Sequence, residues 1–421
     1  MAAKPVRCDK TQWLGLPSAG TLLLEEMPQG AGRLLSRYAG QVQTLYLDPP
    51  FNTGKVFEVK LAAGEADWKT GKGSVTGIAY DDRWPDRESY LSMMRGTLET
   101  CRELLCREGT VFLHADSRMI APLRLMMDEI FGESCFLNEI IWAYQSGGRS
   151  RAFFPRKHDT ILFYARSRQY YFNLKAVPVG TGAGRSNHMR RQVDEEGRAY
   201  RAITSGGKEY RYYDDDPVYP SDVWSDIPHL QQRDPERTGF ETQKPAALMR
   251  RILACASREG DLVGDLFAGS GTTAAVAAQM GRRCICTDRS ALSLALAERR
   301  LDALPGMPPE HGYTVEAPCF TEGASAEAVF TPAIASYSVF LRGYESDEAR
   351  AAGLPGMDTI ERWSCGFLRG GVYTCCQSSA RSRRHPALSP MLEMPVYAGE
   401  PCVQIVDIWG NRRFFLPERS L

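Results

Sequence analysis

The sequence predicts an α/β chain built on a mostly parallel sheet with helices on both faces. Three observations carry that expectation. Short apolar runs of strand length, TLYL at 44–47, TVFLHAD at 110–116 and NEIIWAY at 138–144, read as strands buried on both faces. Between them lie stretches whose apolar residues recur at helical spacing, and strands alternating with helices imply βαβ units. The same alternation resumes at 246–304 after a long interruption.

Each element has a local reason. The run 44–47 stops at Pro49 and Pro50, which cannot continue a ladder or a helix, so Asp48 falls at the carboxyl edge of the strand. The Gly-, Lys- and Asp-rich stretch 56–86 has little periodicity and is expected to be a mobile loop. Over 89–106 the residues Tyr90, Leu91, Met94, Leu98, Leu104 and Leu105 sit near helical spacing, with Gly109 expected as the cap. Residues 120–131 read as a helix up to Gly132. The Gly-, Arg- and Tyr-rich stretch 145–235 breaks the rhythm and reads as an insertion with one strand candidate at 160–164. A helix at 246–258, a strand at 261–267, a helix at 272–280, a strand at 282–288 and a helix at 292–304 follow. Beyond Pro305 the chain turns Pro/Gly-rich and then strand-like, and CVQIVDIWGNRRFFL reads as a hairpin turning at Gly410 and Asn411. The expected units are therefore 1–144, 145–235, 236–305 and a small β-rich region at 306–421.

Composition narrows the function classes. With 421 residues, 43% hydrophobic and 24% charged, and no apolar run long enough to span a bilayer, the chain reads as a globular protein of two or three packed units. Its first residues lack the apolar stretch of a signal peptide, so a cytoplasmic location is expected. Twelve scattered cysteines and six dispersed histidines show no repeated ligand spacing, so reduced, mostly buried thiols and no metal site are expected. Net charge is zero, but between Tyr144 and Tyr213 there are 14 Lys and Arg against 5 Asp and Glu. A local surplus of that kind is the footprint of a phosphate-contacting surface.

Two segments carry chemistry. DLFAGSGTT, 265–273, ends a strand and opens a helix, so its glycines let a ligand approach the backbone at a helix N-terminus. No GxxxxGK[ST] is present and position 274 of the longer GxGxxG pattern is Ala, which leaves a nucleoside-type ligand without a pyrophosphate. Asp288 ends the next strand, where a carboxylate accepts hydrogen bonds from ribose hydroxyls or caps a helix. Asp48, Pro49, Pro50 and Phe51 form a rigid turn holding a carboxylate, a carbonyl and an aromatic face together. An aromatic amine becomes nucleophilic only when its lone pair leaves conjugation, and acceptors fixed beforehand for its N–H protons stabilise the charge that develops. Phe51 offers a stacking face to a base taken out of a duplex.

DPPF, then TQKP at 242–245, then DLFAGSGTT and Asp288, in that order, resemble the beta class of amino DNA methyltransferases over about residues 40–304. NEIIWAY, KHD at 157–159 and VQIVDIWGN are similar to the modification subunits of type III restriction systems and related stand-alone enzymes. The resemblance implies an S-adenosylmethionine-dependent, Rossmann-like methyltransferase fold with a mostly parallel seven-stranded sheet. It makes Asp48, Pro49, Pro50 and Phe51 catalytic, and assigns Thr242, Lys244, Pro245, Asp265, Phe267, Gly269, Gly271 and Asp288 to the cofactor. Asp82 and the HAD at 114–116 are weaker family positions. The DPP form is the usual one for N6-adenine, with N4-cytosine the minority outcome. The insertion becomes a target-recognition region, in which Arg149, Arg151, Arg156, Lys157, Arg190 and Arg191 are the expected contacts to double-stranded DNA. A second class, a catalytically silent DNA-binding subunit, would keep the basic insertion but tolerate damage to the Asp-Pro-Pro-Phe turn. The resemblance leaves room for a homodimer and a separate restriction subunit.

Overall fold

All six residues of strand Val42–Leu47 are buried, and successive side chains enter opposite layers: Tyr46 joins one hydrophobic core, Leu45 and Leu47 the other. This computed structural model describes residues 5–9, 20–144, 150–184, 189–304, 313–318, 323–396 and 399–416. Strand Leu105–Ala115 repeats the division, with Phe112 on the Tyr46 side and Val111, Leu113 and Ala115 opposite. Helices Ala246–Ala256, Thr272–Gln279 and Ala291–Asp302 cover the first face. Helices Ala31–Tyr38, Arg87–Leu104 and Ile120–Phe131 cover the second. A sheet wrapped on both sides is what the continuously apolar runs require.

Val42–Leu47 pairs in parallel with Leu105–Ala115 on one side and Leu262–Asp265 on the other. Parallel pairing continues through Arg283–Asp288 and Gly20–Leu24 to Tyr313–Pro318. The strand candidate inside the Gly/Arg/Tyr-rich stretch is His158–Ala165, and it lies in this sheet, antiparallel between Leu105–Ala115 and Phe136–Ala143. The break in rhythm is thus not wholly an insertion. Among its described residues, only the ladder of Arg191–Val193, Ala199–Ser205 and Lys208–Tyr213, and the short pair Gly180–Thr181 with Pro217–Val218, form sheets of their own. Nor does the sheet stop at seven strands. Pro5–Asp9 joins Tyr313–Pro318 to Val372–Ala380 and carries it to 14 strands, through Ile360–Arg369 and Glu400–Asp407 to Arg412–Phe415.

Two further expectations fail for identifiable reasons. Residues 56–86 are not a loop: Val56–Leu61 and Val75–Asp81 make an antiparallel hairpin with helix Gly64–Thr70 between them. Val59 and Leu61 alternate with exposed Glu58 and Lys60, a period of two masked by the charged and glycine-rich flanks. Helix Arg87–Leu104 starts at Asp86, whose side chain accepts from Ser89 N, but has no glycine cap. The chain enters the next strand at once, and Gly109 lies inside it, where a Cβ would come within 3.0 Å of the Val42 carbonyl oxygen. Gly132 does follow Ile120–Phe131, with φ +93°, and the hairpin of Glu400–Asp407 and Arg412–Phe415 does turn through Gly410, at φ +84°.

The C-terminal strands are bolted to helix Ala291–Asp302 by buried charge. Glu298, fully buried on helix Ala291–Asp302, is shared between Arg362 and Arg412, and Arg362 Nη1 also reaches Asp302 Oδ2 at 2.8 Å. Cys101, Cys135, Cys255 and Cys286 are buried thiols. Among the described residues no helix is long and apolar enough to cross a membrane.

Candidate active site

Parallel strands end together, so their carboxyl termini share one edge of the sheet, where open α/β sheets bind ligands. Asp48 follows Val42–Leu47, and Asp265 and Asp288 close their strands at the same edge. His114 stands one residue from the end of Leu105–Ala115, and Asp159, at the start of the antiparallel strand, is brought beside it.

At Asp48 the two carboxylate oxygens have different surroundings. Lys244 Nζ donates to Oδ2. Oδ1 is buried and accepts no hydrogen bond. His114 Nδ1 is 4.0 Å from Oδ1 and is engaged with the Tyr46 hydroxyl at 2.7 Å. Burial, together with the charges of Asp48, Asp265 and Asp159, pushes the Tyr46 phenol well above its usual value, so it stays protonated and donates to Nδ1. The other ring nitrogen, Nε2, lies 3.2 Å from Asp159 Oδ2. Burial works to raise the Asp159 carboxyl, but the His114 contact, the charge of Lys244 and the Tyr144 hydroxyl outweigh it and hold the group at about 2. His114 also packs on Phe51, ring centroids 5.8 Å apart, and edge-on to Trp142 at 5.7 Å.

The turn after Phe51 is tied down by Asp82. Its carboxylate accepts from Asn52 N at 3.0 Å and from Thr53 N and Oγ1 at 2.8 and 2.6 Å, which fixes Asn52 at φ +54°. The glycine turn is tied down by two other acids. Asp265 accepts from Phe267 N at 3.0 Å and Thr273 Oγ1 at 2.6 Å, and burial pushes its carboxyl up to about 7. Asp288 accepts from Gly269 N and Ser290 N, each at 2.8 Å, and burial raises it too. Gly269 has φ +50°, and a Cβ there would come within 3.3 Å of the Phe240 ring.

These groups line one cleft with about 1090 Å³ of empty space, its open mouth included. Asp48, Pro49, Pro50, Phe51, Thr242, Lys244, Asp265, Phe267, Gly269 and Asp288 all reach its wall. Two expected cofactor residues do not. Pro245 is buried as the cap of helix Ala246–Ala256, and Gly271 packs on helix Ala291–Asp302, where a Cβ would sit 2.4 Å from Ala297 Cβ. Phe57, Tyr80 and Phe240 form an aromatic wall, with centroids 4.6 and 6.1 Å apart along the row. Backbone at Gly269, the Asp288 carboxylate and that wall together fit a nucleoside-type ligand. Tyr46, Tyr80, Asp159 and Phe240 were missed in the sequence. KHD marked Asp159 only as part of a motif, and Tyr46 is visible as the residue two before Asp48, on its side of the strand.

The expected DNA contacts divide. Arg149 lies outside the described residues. Arg191 and Arg201 are held by Asp214, Arg198 by Asp215 and Asp216, and Arg211 by Glu209. The basic stretch ends at Tyr213, and Asp214, Asp215 and Asp216 follow it at once. Arg151, Arg156 and Arg190 are exposed, and Lys157 is half-buried.

The family profile of N6/N4 methyltransferases, described as DNA methylase, matches residues 42–299. The type II methyltransferase M.EcaI of Enterobacter cloacae is 26% identical over 306 residues, 62% of this chain and 64% of its own length, so the chain spans just under two thirds of that relative. M.HpaI of Haemophilus parainfluenzae is 26% identical over 264 residues, 62% of this chain and 68% of its own. The DNA adenine methyltransferase YhdJ of Escherichia coli K12 is 26% identical over 266 residues, 63% of this chain and 77% of its own. A solved cytosine-N4-specific PvuII DNA methyltransferase aligns over 70% of this chain and 92% of its own at 14% identity, with a TM-score of 0.43.

Proposed function

Since this chain belongs to the DNA methylase family of N6 and N4 methyltransferases, we propose that it methylates the N6 amine of adenine in double-stranded DNA, at Asp48, with S-adenosylmethionine as donor. The observation that carries this reading is Asp48 Oδ1: a buried carboxylate oxygen with no donor, on the wall of a nucleoside-sized cleft. A buried acceptor left open is costly unless the working complex supplies its partner, and an exocyclic N–H is such a partner.

S-adenosylmethionine supplies an electrophilic methyl group; the rest is done by residues of the chain. Lys244 occupies Oδ2 and so leaves Oδ1 as the atom that receives the amine N–H. Accepting that bond turns the lone pair out of the ring plane and stabilises the positive charge growing on nitrogen. Phe51, held from behind by His114, stacks on the base. Asp288 and Gly269, bonded to each other, would hold the donor's ribose side, and Phe240 and Tyr80 would lie against its flat face. No cysteine nucleophile is needed, since the amine attacks the methyl carbon directly; the carbon–sulfur bond breaks as the carbon–nitrogen bond forms, the thioether leaves, and the surplus amine proton goes to solvent.

The DPPF form favours adenine over cytosine, and the adenine-specific relative YhdJ supports the same base. We assign residues 1–144, 236–305 and the central-sheet strand His158–Ala165 to the methylase domain, target recognition to the rest of 145–235, and an accessory role to 306–421. The working setting is the cytoplasm. A homodimer and a restriction subunit remain the partners to look for, as for modification subunits.

The test is labelled-methyl transfer to unmethylated duplex DNA, with the product digested to nucleosides and identified by mass. Label is expected in N6-methyladenine, and Asp48→Ala is expected to lose it while keeping cofactor affinity. Asp288→Ala is expected to weaken that affinity about 10- to 100-fold. Label in N4-methylcytosine would reassign the base.

A further inference from the structure

We propose that Phe153 and Phe154, flanked by Arg151 and Arg156, form a wedge that enters the DNA duplex beside the cleft and fills the place vacated by the base moving to Asp48. The proposal rests on the methylase reading above and adds to it the device that empties the stack.

Phe154 is 96% exposed and Phe153 62%, so two adjacent aromatic rings stand in water. Single exposed apolar residues need no explanation, but neighbouring bare phenylalanines forgo burial that a partner must return. Ser150 Oγ accepts from Ala152 N and Phe153 N, each at 3.2 Å, a local turn that fixes the backbone leading into the two exposed rings. The Arg156 guanidinium stands 5.6 Å from the Phe153 ring.

The feet of this tip are the strand ends that carry the catalytic centre. Tyr144 N donates to the Lys157 carbonyl at 2.9 Å, closing the two strands just before the tip. Two residues on, Asp159 holds the Tyr144 hydroxyl and faces His114, which backs Phe51. The tip therefore leaves the sheet at the edge where Asp48 waits for a base. Charge selects the occupant. Arg191, Arg198, Arg201 and Arg211 are paired with acids, whereas Arg151 and Arg156 are exposed with no acidic partner among the described residues. Two free guanidinium groups around two bare rings match a polyanion whose interior is a stack of flat apolar faces, which is a nucleic-acid duplex. Wedges of this type offset the loss of stacking when a base leaves the helix.

The experiment begins with the native chain on mixed-sequence duplex DNA, the modified site being read by sequencing. Single-turnover transfer is then compared on two duplexes that carry that site. One has the target base paired, the other has an abasic position opposite it. For Phe153→Ser/Phe154→Ser we expect a loss of at least about tenfold on the paired duplex, a change within about threefold on the unpaired one, and unaltered cofactor affinity. Equal losses on both duplexes, or no loss on the paired one, would overturn the wedge. If the native chain methylates no DNA at all, it is the methylase reading that fails, and the wedge with it.

Discussion

Lys244 Nζ donates to Asp48 Oδ2 across 196 residues of chain, joining the segment before helix Ala246–Ala256 to the carboxylate that ends strand Val42–Leu47. The sequence assigns Lys244 to the cofactor; its side chain reaches the cleft and holds the Asp48 carboxylate. A cation next to a nitrogen that is becoming positive would oppose the reaction, so the contact is useful for the oxygen it occupies and the one it leaves open.

Lys244→Met is therefore expected to lower the rate of methyl transfer about 10- to 100-fold and to change cofactor affinity by less than about threefold. Single-turnover kinetics beside equilibrium titration of S-adenosylmethionine separates the two. A large loss of affinity with an unchanged rate would return Lys244 to the cofactor.

Asp159 is held at about 2 and so stays ionised throughout the working range, losing its charge only as the pH falls through that value. Asp159→Asn keeps the shape but removes the charge that fixes the His114 ring behind Phe51. We expect transfer to slow about tenfold, cofactor affinity to hold, and the quenching of protein fluorescence on DNA binding to persist. An unaltered rate would mean that His114 is held by Tyr46 and Trp142 alone.

Asp265 gives the fold a pH dependence of definite sign. Burial pushes its carboxyl up to about 7, above the ordinary aspartate value of 3.8. Between those limits the folded chain binds a proton that the unfolded chain has released, so this group's contribution is whole below the lower limit and is lost as pH rises to the upper. Asp265→Asn has no such slope. The difference in Tm, variant minus native, should increase from pH 5 to pH 8 in thermal unfolding; a difference independent of pH would contradict the assignment.

Glu298 is expected to be the costliest single truncation outside the cleft. Glu298→Ala leaves the buried guanidinium groups of Arg362 and Arg412 without their shared partner. Breaking a buried pair from one side costs about 3–5 kcal/mol, and urea unfolding followed by fluorescence should register a shift of that size. A variant as stable as the native chain would show that the C-terminal strands are held by their pairing and apolar contacts instead.

What the sequence determined by itself is what local rules govern. A double proline after an apolar run can only end a strand, so Asp48 had to stand at its carboxyl edge. Glycines between a strand and a helix had to make a close-approach turn, and Asp288 had to follow the next strand. The helices Ile120–Phe131 and Ala291–Asp302 were legible because 3.6-residue periodicity needs no partner to be recognised. What only the tertiary structure decided is pairing between distant residues. That His158–Ala165 belongs to the central sheet, that Asp214–Asp216 neutralise arginines of the ladder, and that Tyr46, His114 and Asp159 form one chain beside Asp48 depend on which strands become neighbours. Strand order is set by burial summed over the whole chain. No window of sequence contains it, so the Asp-Pro-Pro-Phe turn could be read in advance, while the groups packed around its carboxylate could not.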